Sequence, residues 1–230
     1  NKKITSSVLL SMIARKQALV KENASIFKKE APIGLALSGG AAHGLAHIGV
    51  LQCLYEYDFV PDMICGASAG ALVGLLYATG LPPMQILEVA KRIRWRDLIS
   101  FKPGSHGIFA TDKVPPLLQK ITGDPSWQEL TLPFYPISFD YSTGRTISPR
   151  QLSPVKAVHA SMSIPLLFKP VAYNESALGD GGMTEIVPSK FCHKMGATKI
   201  IGVNVIAGGM KPFKHVNRMT SLMGQLKQIM

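Results

Sequence analysis

Twice between Pro32 and Gly80 a short apolar run ends in a glycine-rich turn and gives way to a stretch with helical spacing. The first run, Ile33-Gly34-Leu35-Ala36-Leu37, is followed by Ser38-Gly39-Gly40-Ala41-Ala42-His43-Gly44. It is too short for a helix and is bounded like a buried strand. Leu45, Ile48, Leu51, Leu54 and Tyr55 then recur at helical intervals. The second unit repeats the plan: Asp62-Met63-Ile64-Cys65 as strand, Gly66-Ala67-Ser68-Ala69-Gly70 as a sharp turn, and residues 71–79 as an apolar helix closed by Gly80. Strands apolar on both faces, alternating with helices, predict an α/β fold around a parallel sheet covered on both sides.

Beyond these two units, residues 82–132 read as mainly helical and irregular, and residues 135–139 and 145–148 flank a turn at 141–144, as a hairpin would. Further strands are expected over 168–172, 177–179 and 199–205. A helix over 188–195 would carry Pro188 in its first turn, and a terminal helix would span 218–230. Residues 5–30 show an amphipathic helical pattern that Ala31-Pro32 ends, with Val8, Leu9, Met12, Ile13, Val20 and Phe27 near one stripe and Arg15, Lys16, Lys21, Lys28 and Lys29 elsewhere. Such a helix packs on the domain or lies on a membrane surface; packing is the preferred reading. The expected division is therefore an N-terminal helix over 1–31 and one domain over 32–230.

Composition narrows the class. With 230 residues, 47% of them apolar and only 17% charged, the chain can bury one sizeable core and contains no disordered tract. The longest apolar stretch, residues 70–81, falls well short of the 18 or so that a membrane-spanning helix needs. Residues 8–14 mimic a signal peptide, but Arg15 and Lys16 follow where a cleavage site would stand. The chain begins at Asn1 rather than Met and reads as a fragment or processed product. Cys53, Cys65 and Cys192 are odd in number, sit among apolar neighbours and lack metal-ligand spacing, as buried free thiols in the cytoplasm would. Lys and Arg outnumber Asp and Glu by 25 to 14, a net charge of +11 that favours an anionic membrane surface or a phosphate-bearing substrate, or serves solubility alone. Nucleic acid fits poorly, because the basic residues are scattered and aromatics make up 7%.

Gly66-x-Ser68-x-Gly70 matches the pattern of a nucleophile elbow, in which a tight strand-to-helix turn lifts a serine hydroxyl clear of the sheet. The helix starting at Ala69 would aim its N–H groups and positive dipole end at developing negative charge. The N–H groups of Gly39, Gly40 and Ala41, at the first glycine turn, could converge as an oxyanion hole. A phosphate-cradling loop is the alternative there, but no Walker lysine is present and the dinucleotide glycine spacing is absent. For the base, Asp180 with His193 or His215 satisfies a Ser–Asp–His order. Gly179-Asp180-Gly181-Gly182 instead places a carboxylate in a glycine turn after a short strand, where it could act directly or merely shape the turn.

These motifs together resemble the patatin-like phospholipase family, over roughly residues 32–205: the loop from Gly39 to Gly44, the elbow Gly66-Ala67-Ser68-Ala69-Gly70, and Asp180-Gly181-Gly182, in family order. The run Ala160-Ser161-Met162-Ser163-Ile164-Pro165 is similar to the segment upstream of the family's catalytic aspartate. The resemblance implies a three-layer α/β/α fold with a mostly parallel sheet and a Ser68–Asp180 dyad without histidine. It also implies hydrolysis of acyl esters in phospholipids or lysophospholipids, with no metal or cofactor. A lipid-binding member impaired in catalysis is the alternative within that fold. Two departures stand out. Ala41 occupies the family's third glycine and would be strained if that position takes positive φ. His43 occupies the family's basic position and would supply its charge only when protonated, or else simply pack at the helix start.

Overall fold

The computed structural model describes residues 31–104 and 107–206. The expected helices over 5–30 and 218–230 lie outside the described residues, as does His215. In chain order the described elements begin with β1 (Ile33–Leu37), a 3-10 turn (Ala41–Gly44), α1 (Leu45–Glu56), β2 (Met63–Ala67), α2 (Ala69–Ala78), α3 (Pro83–Arg92) and the short α4 (Trp95–Leu98). There follow β3 (Ser100–Gly104), β4 (Gly107–Ala110), α5 (Val114–Thr122), β5 (Phe134–Asp140), β6 (Arg145–Ile147) and α6 (Pro154–Ser161). The last are β7 (Val171–Tyr173), β8 (Ser176–Asp180), a second 3-10 turn (Gly181–Met183), α7 (Ser189–Lys194) and β9 (Lys199–Val203).

The main sheet runs β7-β8-β5-β2-β1-β9, with β6 also on β5. β9, β1, β2 and β5 pair in parallel, while β8, β7 and β6 add antiparallel pairs at one side. The pleat sorts side chains onto two faces. Leu35, Leu37, Ile64 and Phe134 enter one core with residues of α1, α2, α3, α5 and α6. Ala36, Cys65, Ala67 and Ile137 enter a second core with Phe191 and Cys192 of α7. Two cores on opposite faces of one sheet make a three-layer α/β/α fold, and they explain why β1 and β2 are apolar at nearly every position.

The register on β5 brings two strand ends to neighbouring positions. Ala67, the last residue of β2, pairs with Ile137, and Asp180, the last of β8, pairs with Ser138. Because β8 runs antiparallel to β5 and β2 parallel to it, the two strands arrive at mid-β5 from opposite ends.

Four features depart from expectation. Cys53, on α1, is exposed rather than buried like Cys65 and Cys192. Residues 82–132 are not wholly helical and irregular: β3 and β4 form an antiparallel hairpin with Phe101 opposite Phe109, their rings 5.8 Å apart. The strand expected over 168–172 starts only at Val171, and Phe168 instead bridges to Phe109. α6 is an additional helix, which Ser153 caps by accepting a bond from the Lys156 N–H, with Pro154 following at the first turn.

Candidate active site

Ser68 joins β2 to α2 with φ 49° and ψ −115°, a conformation that costs a non-glycine residue on the order of 1–3 kcal/mol. The flanking glycines are dictated by contact. A Cβ on Gly70 would lie 2.4 Å from the Leu37 carbonyl oxygen, and one on Gly66 would lie 2.6 Å from that of Gly70. The Gly-x-Ser-x-Gly spacing is thus what lets the turn tuck under β1 and hold the serine at the N-terminus of α2. Ser68 is buried, with its side chain at the wall of a cavity.

Asp180 closes β8 and caps the 3-10 turn after it, its Oδ1 accepting the Gly182 N–H at 2.7 Å. The Ser68 side chain lies close enough to the same carboxylate to favour its charged form. Asp180 is only 6% exposed. Burial raises its pKa from 3.8 to about 6, outweighing Ser68 and the bond from Gly182, which lower it. Gly181 packs against β5, where a Cβ would fall 2.4 Å from the Ile137 carbonyl oxygen, and a Cβ on Gly182 would sit 3.0 Å from Asp180 Oδ1. The phenol of Tyr141 is pushed up, first by burial and then by the Asp180 charge.

The first glycine turn lies beside the serine: a Cβ on Gly39 would be 3.5 Å from that of Ser68. Its three candidate donors differ. The Gly39 N–H is already donated to the Ile186 carbonyl at 3.1 Å. Neither the Gly40 nor the Ala41 N–H is bonded to another described residue. Gly40 has φ 151° and Ala41 φ 47°, so alanine does occupy the left-handed region at this position. His43 is exposed on the 3-10 turn, its N–H donated to the Gly40 carbonyl at 2.9 Å. His47 carries no signal in the sequence that would single it out. It is fully buried, and its Nε2–H donates to the Ser38 carbonyl at 2.8 Å, steadying the start of the loop. Burial lowers its pKa and so favours the neutral ring. His193 is exposed on α7, with its ring nitrogen Nδ1 bonded to the Ala197 carbonyl at 3.0 Å.

A cavity of about 200 Å³ opens from Ser68 between α1, α2 and α3. Leu45, Leu72, Leu76, Ile86 and Phe168 are among its walls, and every lining residue other than Ser68 and Arg94 is apolar. Such a lining takes a hydrocarbon chain and leaves the serine as the polar group at its wall. Among the described residues, no group of three His, Cys, Asp or Glu side chains is placed to hold a metal ion, and no helix is long and apolar enough to cross a membrane.

Comparison with known proteins points the same way. The chain is 35% identical over 159 residues to an uncharacterized NTE family protein of Mycobacterium tuberculosis, MT2641, a match covering 68% of this chain and 27% of that one. It is 31% identical over 185 residues to lysophospholipase NTE1 of Cryptococcus neoformans, covering 75% of this chain and 11% of the relative. The chain therefore spans well under half the length of these curated relatives. Among solved structures, VipD from Legionella pneumophila superposes with a TM-score of 0.57 at 13% identity, covering 87% of this chain and 53% of that one, a likeness of fold. The family model for patatin-like phospholipases matches residues 35–190, which include the glycine loop, the elbow and the aspartate turn. The chain belongs to the patatin-like phospholipase family.

Proposed function

We propose that this domain is a lipid acyl hydrolase, acting on phospholipids or lysophospholipids through a Ser68–Asp180 dyad and a covalent acyl-enzyme. The observation that carries the reading is Ser68 on its strained elbow at the wall of an apolar cavity, beside the buried carboxylate of Asp180. Asp180 accepts the Ser68 proton as Oγ attacks the ester carbonyl, giving a tetrahedral oxyanion. The N–H groups of Gly40 and Ala41, together with the N-terminus of α2, stabilise that charge; Gly39 contributes only if its bond to Ile186 opens. Collapse returns the proton to the leaving alcohol and leaves the acyl group on Oγ. Water then attacks the acyl-enzyme, giving its proton to Asp180, and the second collapse releases the fatty acid and restores the serine. A carboxyl with a pKa of about 6 is a better base near neutrality than an ordinary aspartate at about 3.9.

The test is hydrolysis of lysophosphatidylcholine, with labelling of Ser68 by a fluorophosphonate probe. Ser68→Ala and Asp180→Asn should each abolish turnover, and His193→Ala and His215→Ala should retain it. Loss with either histidine change would favour a Ser–His–Asp esterase or acyltransferase, and a Ser68 that never labels would favour an impaired lipid-binding protein. His43 is proposed to stand in for the family's basic residue. His43→Ala should then lower turnover while His43→Arg retains it; unchanged turnover in the alanine variant rejects that role. The net charge of +11 supports attraction to anionic membrane surfaces, read as vesicle binding that weakens with added salt. The three free thiols fit a reducing compartment, the cytoplasm.

A further inference from the structure

Both proposed catalytic residues are held by one short stretch of chain, residues 161–163, in which Met162 lines the cavity while Ser161 and Ser163 face the interior. Ser161, the last residue of α6, is fully buried. Its hydroxyl donates to the Ile137 carbonyl at 2.6 Å and accepts the Ser68 N–H at 3.0 Å, across 93 residues of sequence. Two residues on, the Ser163 carbonyl accepts the Asp180 N–H at 2.9 Å. Ile137 is itself the β5 residue opposite the end of β2, and its neighbour Ser138 is opposite Asp180. The end of α6 and the middle of β5 therefore form a common frame for the two side chains.

From this geometry we infer that Ser161 is a positioning residue for the nucleophile, fixing the strained Ser68 turn so that Oγ points at Asp180. The inference rests on the dyad proposed above. Ser68 adopts its unfavourable φ and ψ only because its surroundings over-determine them. The Ser161 hydroxyl is the one described group that accepts the Ser68 N–H. Without it that N–H and the Ile137 carbonyl both lose their described partner in the interior, and rotation of the Ser68 peptide is the cheapest escape. Asp180 would stay where it is, since the Gly182 N–H and the Ser163 carbonyl hold it independently. Only the nucleophile would move, and a shift near 1 Å can cost up to about 100-fold in rate.

The signature is separable from mere destabilisation. Ser68 lowers the Asp180 pKa, so a displaced serine moves the acid limb of the rate profile to higher pH. Tyr141 is the titratable group facing Asp180, and its own pKa is raised away from that range. Glu185, farther along the turn, is engaged by the Phe191 N–H.

The experiment compares wild type, Ser161→Ala, Ser161→Thr and, as a core-destabilised control away from the cavity, Leu118→Ala. A short-chain p-nitrophenyl ester is hydrolysed across the acid limb, with rates normalised to the folded fraction. Ser161→Ala should lower kcat roughly 10- to 100-fold with KM nearly unchanged and the acid limb shifted upward. Ser161→Thr, which keeps the hydroxyl, should recover most of the rate, and Leu118→Ala should show wild-type kcat per folded molecule. If Ser161→Ala yields no folded protein, Ser161→Cys, whose thiol is a weaker acceptor, should show the same signature in smaller measure. Wild-type kcat and an unmoved acid limb in the folded alanine or cysteine variant overturn the inference. Ser68→Ala separates the two levels: if it stays active the dyad itself fails, and if it is dead while Ser161→Ala behaves as wild type only the positioning role fails.

Discussion

Replacing Asp180 by asparagine should stabilise the protein at neutral pH while removing its base. The carboxyl is 6% exposed, and burial raises its pKa from 3.8 to about 6. A folded-state pKa above the unfolded one means that folding favours the protonated form. The stabilisation is full below about 3.8, declines as pH rises and is gone above about 6. At 1.36 kcal/mol per pH unit, the interval from 3.8 to about 6 corresponds to about 3 kcal/mol forfeited once the carboxylate ionises. Asparagine has the same shape and no charge to desolvate. Its Oδ1 can accept the Gly182 N–H now bonded at 2.7 Å, and its Nδ2 can donate to Ser68 Oγ.

Asp180→Asn should therefore exceed wild type by about 2–3 kcal/mol near pH 7.5, or roughly 4–12 °C in melting temperature for a chain of this size. The gap should narrow below about pH 5 and close near pH 4, where wild type is protonated too. Thermal unfolding of both proteins at intervals across that range is the assay. A variant no more stable than wild type at neutral pH, or a gap that does not change with pH, would refute the buried-charge argument.

Three further outcomes are expected from the same contacts. The ratio kcat/KM for a soluble ester should fall about tenfold per pH unit below about 6 and level off above it, because the free enzyme must carry Asp180 ionised; a plateau extending to about pH 4.5 would sink the assignment. Ala41→Gly relieves a φ of 47° that costs alanine about 1–2 kcal/mol, against about 0.4–1 kcal/mol of added unfolded-state entropy. An unfolding free energy, from urea denaturation, equal to wild type or up to about 1.6 kcal/mol higher is expected, and a clear loss would mean the methyl group is needed for packing. Native alkylation with iodoacetamide should modify Cys53, which is exposed, and spare Cys65 and Cys192, which are buried. The bond from Cys192 and then burial push the Cys65 thiol well above its usual range, so peptide mapping that finds Cys65 modified in the folded protein would contradict this packing.

How far the site is legible in the sequence depends on the range of the interactions involved. The loop at Gly39, the elbow at Ser68 and the turn at Asp180 are legible because each is local. An apolar run supplies the strand, and glycines stand where a Cβ would collide, as at Gly70 against Leu37. The hairpin of β3 and β4 is hidden because Lys102-Pro103-Gly104 reads as a break, and its Phe101 is 71% exposed rather than part of a core. α6 carries a start signal in Ser153-Pro154, but its 8 residues are too few to show a clear helical period. Ser161 is out of reach for a different reason: its bond to Ser68 spans 93 residues, and nothing in its neighbourhood in sequence distinguishes it from Ser163. The engagement of Gly39 by Ile186 is equally invisible, since both are joined only through the folded sheet.

In the proposed dyad, the antiparallel edge of this mostly parallel sheet is what would let an aspartate act without a histidine between it and the serine. Neighbouring strands lie about 4.8 Å apart, so β2 and β8, one on each side of β5, stand about 10 Å apart. Were β8 parallel to β2, the chain leaving its end would run on in the same direction as the elbow. Because β8 runs the other way, its last residue meets mid-β5 at Ser138, one position from Ile137, where β2 ends. The serine turn comes from one side and the aspartate turn from the other, and the two short side chains approach each other across β5. Gly181, which tolerates no Cβ against Ile137, lets the second turn fold down onto β5. Strand direction and glycine placement set the distance between the proposed base and nucleophile.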